Sequence, residues 1–338
     1  MAEQDDVLSR EVAIAAKLEE NGIVLRAKSR AVSAFDRLVG SLFDAPAAFF
    51  EGVSRKKRLR DEIYDRLKNA QALVAEKQIA DSPGLGASLI NDLLEDKARK
   101  QSNLAGVAVE AIDSIKALPP PESAEHPNIE ESADDIDEDW MNQFVRFAED
   151  ASSERLQQVW GRVLAGEIRK PGSFSRHTLR FVAELDKETA ENCQHIGRLV
   201  VGKWILKNDK WNEGQDYLTS VDLQRLGVIE GLGIGGPQQS FVVDANGYAG
   251  VAGSTWGLLV HGTSGTKIAV PVFILTRLGQ EIMSLLNVAE EESSLREVAE
   301  HLSKAELKTI DLGKVTHLSG GQINFQMPLQ RVWKSEEQ

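Results

Sequence analysis

The stretch Asp139–Leu185, DWMNQFVRFAEDASSERLQQVWGRVLAGEIRKPGSFSRHTLRFVAEL, constrains the fold more tightly than any other part of the chain. Trp140, Phe144 and Phe147 fall at helical offsets, with Met141, Val145 and Ala148 beside them. One apolar stripe at that period predicts a helix with a buried aromatic face. Glu149-Asp150-Ala151-Ser152 closes this helix, and Ser152 or Ser153 can cap the next. The second helix carries Leu156, Val159, Trp160, Val163 and Leu164, has Gly166 just before its end, and is broken by Pro171-Gly172. Ser175 is a good N-cap for a third helix through Leu179, Val182 and Leu185. Asp186 can cap a fourth, Ala190 to Leu206, with Ile196, Leu199, Val200 and Trp204 inward. Four helices with short connections predict a compact bundle, anchored by Trp140 and Trp160. Gly161, Ala165 and Gly166 allow close helix approach around the second tryptophan.

The same stretch puts a carboxylate, a base candidate and hydroxyls within a short span. Arg162, Glu167, Pro171, Gly172, Ser173, Phe174, Ser175 and His177 form a candidate interaction turn. Glu167 and His177 stand ten residues apart across a turn and can converge, which makes a hydrolase or nuclease centred on them one reading. Structural use is favoured. The serines are explained by capping, and Arg162 with Glu167 can hold the turn. His177 falls in the first turn of a helix, where a protonated imidazole is disfavoured. No G-x-S-x-G elbow is present. The sequence therefore assigns no catalytic, cofactor-binding or metal residue.

Trp160–Leu179, WGRVLAGEIRKPGSFSRHTL, resembles the signature of a bacterial family known only as a domain of unknown function. Members show an aromatic-rich helix, then W-x-R-[IV]-L-A-G-E-[IV], then P-G-S-F-S and a T-L helix. The likeness is close over those twenty residues and looser over 139–230. The helix with Arg99 and Asn103 and the segment DAPAAFFEG are also similar to the family. The resemblance implies homology and no particular chemistry. Through related mobile-island genes it implies a setting in bacterial phage defence.

Upstream, residues 1–118 read as a helical region. Residues 6–32 give a helix, a break at Gly22 and a second short segment. Phe35, Leu38, Val39, Leu42 and Phe43 keep helical spacing up to Asp44-Ala45-Pro46. The next helix carries Phe49, Phe50 and Val53, then Arg55, Lys56, Lys57, Arg58 and Arg60, and runs on to Ile79. Aromatics followed by a basic cluster can lie on an anionic membrane surface or meet a partner. An internal bundle face with a solvated basic edge is the favoured reading. Ser88–Leu118 is another long helical pattern, ended by Pro119-Pro120-Pro121.

Pro119–Asp139 has nine carboxylates, four prolines and no Lys or Arg. That composition cannot bury enough apolar surface to offset ordering entropy, so 119–138 is expected to be an acidic linker. Asp134, Asp135, Asp137, Glu138 and Asp139 lack EF-hand spacing, and a solvated run is favoured over a cation site.

Downstream of a central helical module at 139–210, residues 211–338 read as a winged-helix-like α+β domain. Tyr217, Leu218, Val221 and Leu223 lie on a short helix, and Leu226-Gly227-Val228-Ile229 resembles a helix-to-strand exit. Strands are expected at Phe241–Val243, Trp256–Val260 and Ala269–Leu275, followed by a helix capped by Thr276. Ser293–Leu307 reads as a helix, and Lys314–Leu318 with Gln322–Phe325 as a hairpin about Ser319-Gly320-Gly321. The GLGIGG run at 231–236 lacks the Lys-Ser/Thr of a phosphate loop and is expected to be a flexible turn. Arg225 is the one basic residue between 214 and 226, so protein contact is favoured over DNA readout.

The fold class expected is α+β, mostly helical. A net charge of −13 repels nucleic acid, and the single cysteine, Cys193, fits a reducing compartment as a buried inert thiol. No apolar run is long enough for a transmembrane segment, and the acidic N-terminus is unlike a signal peptide. Together these give a cytoplasmic, non-enzymatic interaction protein with no cofactor. It would be a sensor or effector acting through assembly with itself or a protein partner; a peripheral membrane effector using residues 34–60 is the alternative.

Overall fold

The structure, a computed structural model, describes residues 30, 33, 34, 37, 38, 85–117, 135–233, 235–286, 291–303, 307–317 and 323–335. The chain is α+β and divides into two units, Met1–Glu184 and Leu185–Gln338.

In the first unit, helix α1 (Leu85–Ala117) packs along α3 (Glu154–Arg169), with α2 (Glu138–Ala148) and α4 (Arg176–Ala183) completing the layer. Among the described side chains of α1, Leu104–Ile112 are buried while Leu93 is 71% exposed. Two glycines set the α1–α3 contact. A Cβ at Gly161 would stand 2.5 Å from the Glu110 Cβ and 2.8 Å from the Ala111 backbone nitrogen. On the other helix, a Cβ at Gly106 would overlap the Gln157 amide. Trp140 stacks on Phe144 at 5.3 Å between centroids, and Phe144 meets Trp160 edge-on at 5.4 Å. The expected aromatic face of 140–147 and the two tryptophan anchors are therefore present. Truncating Trp160 costs about 3–5 kcal/mol by loss of burial and the cavity left behind. The α2–α3 corner is tied back to α1 by Asn103 Nδ2, which donates to the Glu149 carbonyl at 2.8 Å, and by Lys100 with Glu149 at 2.8 Å. Arg30, Ser33, Ala34, Arg37 and Leu38 are helical, and Ala34 and Leu38 are buried. The other helices expected before residue 85, and the linker through residue 134, lie outside the described residues. Asp137, near the end of the acidic run, is the N-cap of α2, and Glu138 and Asp139 lie in its first turn.

The second unit opens with α5 (Lys187–Gly197), capped by Asp186 as expected. The helix expected to run from Ala190 to Leu206 stops there. Val200–Val201 (β1) and Trp204–Leu206 (β2) form a hairpin around Gly202, whose φ is +60°. Val200, Val201 and Ile205 are β-branched, and the helical period of Ile196, Leu199 and Val200 was coincidental with a strand start. A short 3-10 turn (Asp209–Trp211) leads to α6 (Gly214–Arg225), then β3 (Ile229–Glu230), β4 (Gln238–Val242), β5 (Tyr248–Ala252), β6 (Trp256–Gly262) and β7 (Lys267–Leu275). Helices α7 (Arg277–Leu286) and α8 (Glu291–Leu302) follow, then β8 (Leu307–His317), β9 (Ile323–Phe325) and β10 (Gln330–Lys334).

These strands make two antiparallel sheets, one ordered β1-β2-β7-β3 with β4 on β7, the other β10-β8-β6-β5 with β9 on β8. Period-two burial explains the layering. Trp204, Leu206, Val270 and Val272 of the first sheet share a core with Val251, Leu258, Val260, Ile310 and Leu312 of the second and with Leu295, Val298 and Leu302 of α8. Ile205 pairs with Phe273 on the opposite face, where the Phe273 ring meets Trp211 edge-on at 5.2 Å. The β8–β9 pairing, Val315 with Phe325 and His317 with Ile323, fits the hairpin expected there; its turn lies outside the described residues.

Candidate functional site

The signature residues assemble around one buried carboxylate. Glu167 lies in the last turn of α3 and is 2% exposed. Its Oε1 accepts from the Gly172 N–H at 2.6 Å and its Oε2 from the Phe174 N–H at 3.1 Å. Charge-assisted bonds of this kind offset the desolvation of a buried acid and fix the chain that donates them. The loop after α3 is thus folded back by the helix it leaves. Gly172 supplies the left-handed turn residue, with φ +81°. Phe174 turns inward to 6% exposure, its carbonyl accepting the Trp140 indole N–H at 2.8 Å. Gly166 makes room for that ring, since a Cβ there would stand 2.5 Å from Phe174 Cε2. Ser173 Oγ donates to the Lys170 carbonyl at 2.6 Å, and Ser175 Oγ accepts from the Thr178 N–H at 3.2 Å as N-cap of α4. The spacing Trp160, Gly161, Gly166, Glu167, Gly172, Phe174, Ser175 therefore encodes a lock: anchor, helix contact, ring slot, acid clamp, turn, plug and cap.

Charged groups ring this lock. Arg176 bridges to Asp137 at 3.0 Å and Asp139 at 3.2 Å. The Trp140 backbone N–H, helped by Arg176, holds the Asp137 carboxyl below the usual carboxylate range. Arg30, 138 residues from its acceptor in sequence, donates through Nε to the Ile168 carbonyl at 2.8 Å and through Nη2 to the Arg169 carbonyl at 3.2 Å. Arg37 reaches Glu138 at 3.1 Å and Asn142 at 3.2 Å. Among the described residues, no group of three or more His, Cys, Asp or Glu is placed to hold a metal ion.

A second surface lies on α6. Tyr217, Leu218 and Leu226 are 40%, 54% and 40% exposed, while Arg225 lies 3.7 Å from Asp222. The start of the GLGIGG run that follows β3 is held by side chains. Gln224 Oε1 accepts from the Gly231 and Leu232 N–H groups, and Lys207 Nζ donates to the Gly231 and Gly233 carbonyls.

Of the candidate turn residues, the structure brings Glu167, Gly172, Phe174 and Ser175 together through hydrogen bonds. Pro171 and Ser173 are half-buried beside them, and Arg162, Gly172 and His177 are exposed. Phe35, Phe43, Phe49, Phe50, Arg55, Lys56, Lys57, Arg58 and Arg60 lie outside the described residues. Cys193 is buried as expected, and burial pushes its thiol up to about 12. Sequence reasoning missed Arg30, because a side chain that caps a helix end more than a hundred residues away leaves no local pattern. It also missed the clamp itself, although an acid five residues before a Pro-flanked glycine was a usable signal.

Residues 92–212 match the family model described as a protein of unknown function (DUF2806). The match begins inside α1 and ends just past the Asp209–Trp211 turn, so it takes in the whole lock. No curated protein and no solved structure matches the chain.

Proposed function

We propose that this chain, with the uncharacterised domain at 92–212, is an interaction protein that works through protein contacts and assembly and does not turn over a substrate. The observation that carries this reading is the outward face of α6. The sheet order β2-β7-β3, with α6 leading into β3, supports a winged-helix-like reading of this part. In that arrangement α6 takes the position of a groove-reading helix. Such a helix needs exposed Lys and Arg. This one presents Tyr217, Leu218 and Leu226, and pairs its one arginine with Asp222. An exposed tyrosine with apolar neighbours suits a protein interface better than a nucleic-acid groove. The committed oxygens of Glu167 support the same conclusion for the signature turn, whose polar groups serve its own backbone. The bacterial defence setting belongs to this proposal through the family resemblance.

The test pairs two measurements on the full chain. Sedimentation velocity is expected to show concentration-dependent association that Leu218→Asp weakens by about tenfold or more, as for a core interface residue. Fluorescence polarisation with duplex DNA at low salt is expected to show no binding. Tight DNA binding that Arg225→Ala abolishes, with a monomer at every concentration, overturns the reading.

A further inference from the structure

Helix α6 carries its exposed side chains in an order that matches itself when the helix is reversed. We propose that two copies of this chain associate through α6 packed antiparallel on α6, about a twofold axis at Asp222. This rests on the α6 interface reading above and names its partner as a second copy.

Leu218 and Leu226 are both exposed, and Asp222 lies midway between them, four residues from each. On a helix of about 3.6 residues per turn, Leu218, Asp222, Arg225 and Leu226 fall within about 100° of arc and so share one face. Thr219, Ser220 and Leu223 are buried and seat the helix on its own unit. A contact of two identical surfaces sets residue i of one copy against residue j of the other, and j against i. With the axis at Asp222, Leu218 of each copy meets Leu226 of the other. The contact is then apolar at both ends.

Charge decides the centre. Two Asp222 carboxylates beside the axis repel each other. Arg225 stands three residues on, about 4.5 Å of helix rise, which an extended arginine spans to reach Asp222 of the second copy. Within one chain the Arg225–Asp222 pair is loose, at 3.7 Å, with side chains 77% and 53% exposed. An exposed pair at that distance holds its charges weakly, so both groups are open to the second copy. Two arginines alternating with two aspartates then neutralise the centre of the pair.

A charge exchange on the full chain tests the twofold. One variant carries Asp222→Arg and the other Arg225→Asp. Self-association of either places only like charges at the axis, and should weaken by about tenfold or more in sedimentation velocity. An equimolar mixture sets every arginine against an aspartate across the axis and should restore a 1:1 dimer. A chain carrying both substitutions again holds one charge of each sign there and should dimerise alone. Thermal melts matching the wild type confirm that the variants fold. Single variants that associate like the wild type overturn the twofold, and so does a mixture or a double variant that stays monomeric. If Leu218→Asp still weakens association in those cases, α6 remains an interface and meets a different surface. If Leu218→Asp has no effect either, the α6 reading falls with the twofold.

Discussion

At Glu167 a charge is kept out of water by two backbone N–H groups, and its neighbours are explained by the turn it holds. Each explanation predicts its own mutational cost. Gly172 has open space where a Cβ would go, so Gly172→Ala isolates the left-handed backbone penalty, about 1 kcal/mol in urea unfolding. Gly166→Ala has the same chemistry but meets the Phe174 ring, so it costs more than Gly172→Ala. Trp140→Phe keeps most of the apolar area and strips the Phe174 carbonyl of its donor, for a loss of about 1–3 kcal/mol. Cys193 is the residue most simply read from sequence. Its buried thiol, pushed up to about 12, should be inert to a thiol reagent at pH 8 and react at once in denaturant.

At the scale of elements, caps were more legible than extents. Ser175 and Asp186 are N-caps where their spacing puts them, because a cap depends on three neighbouring residues. The end of α5 was not legible, because Ile196, Leu199 and Val200 satisfy a helical period while Val200 and Val201 belong to a hairpin. Pairing with β7, far away in sequence, decided the outcome. The strands β5 and β10 were missed for the same reason, as YAGVA and QRVWK carry no strong strand pattern of their own. The caps also carry a pH signature. Backbone N–H groups of Trp140 and Thr189 hold Asp137 and Asp186 below the usual carboxylate range. A depressed folded value stabilises above the unfolded pKa, near 3.9, and is lost as pH falls through the folded value. Replacing both by Asn should therefore flatten the acid limb of a stability–pH curve below about pH 4. A limb unchanged in the double variant counts against these caps.

For the whole molecule, the α+β class and the aromatic packing centre were written in local patterns. The sharing of one core between two sheets and α8 was not, because it joins residues from Val201 to Leu312. The candidate turn was legible as a set of residues and illegible as a device. Sequence spacing allowed Glu167 to face His177 or Arg162, and only the fold shows its oxygens turned to Gly172 and Phe174. That orientation is the central claim: Glu167 clamps the turn that follows its own helix. Residues held for catalysis commonly cost a protein stability, so replacing them tends to stabilise it, whereas a structural clamp does the opposite. The most direct measurement is the urea unfolding midpoint of Glu167→Gln, which keeps the shape and removes the charge and one acceptor. The account predicts a loss of about 1–3 kcal/mol, as expected when buried donors lose a charged partner. An unchanged or raised stability contradicts it.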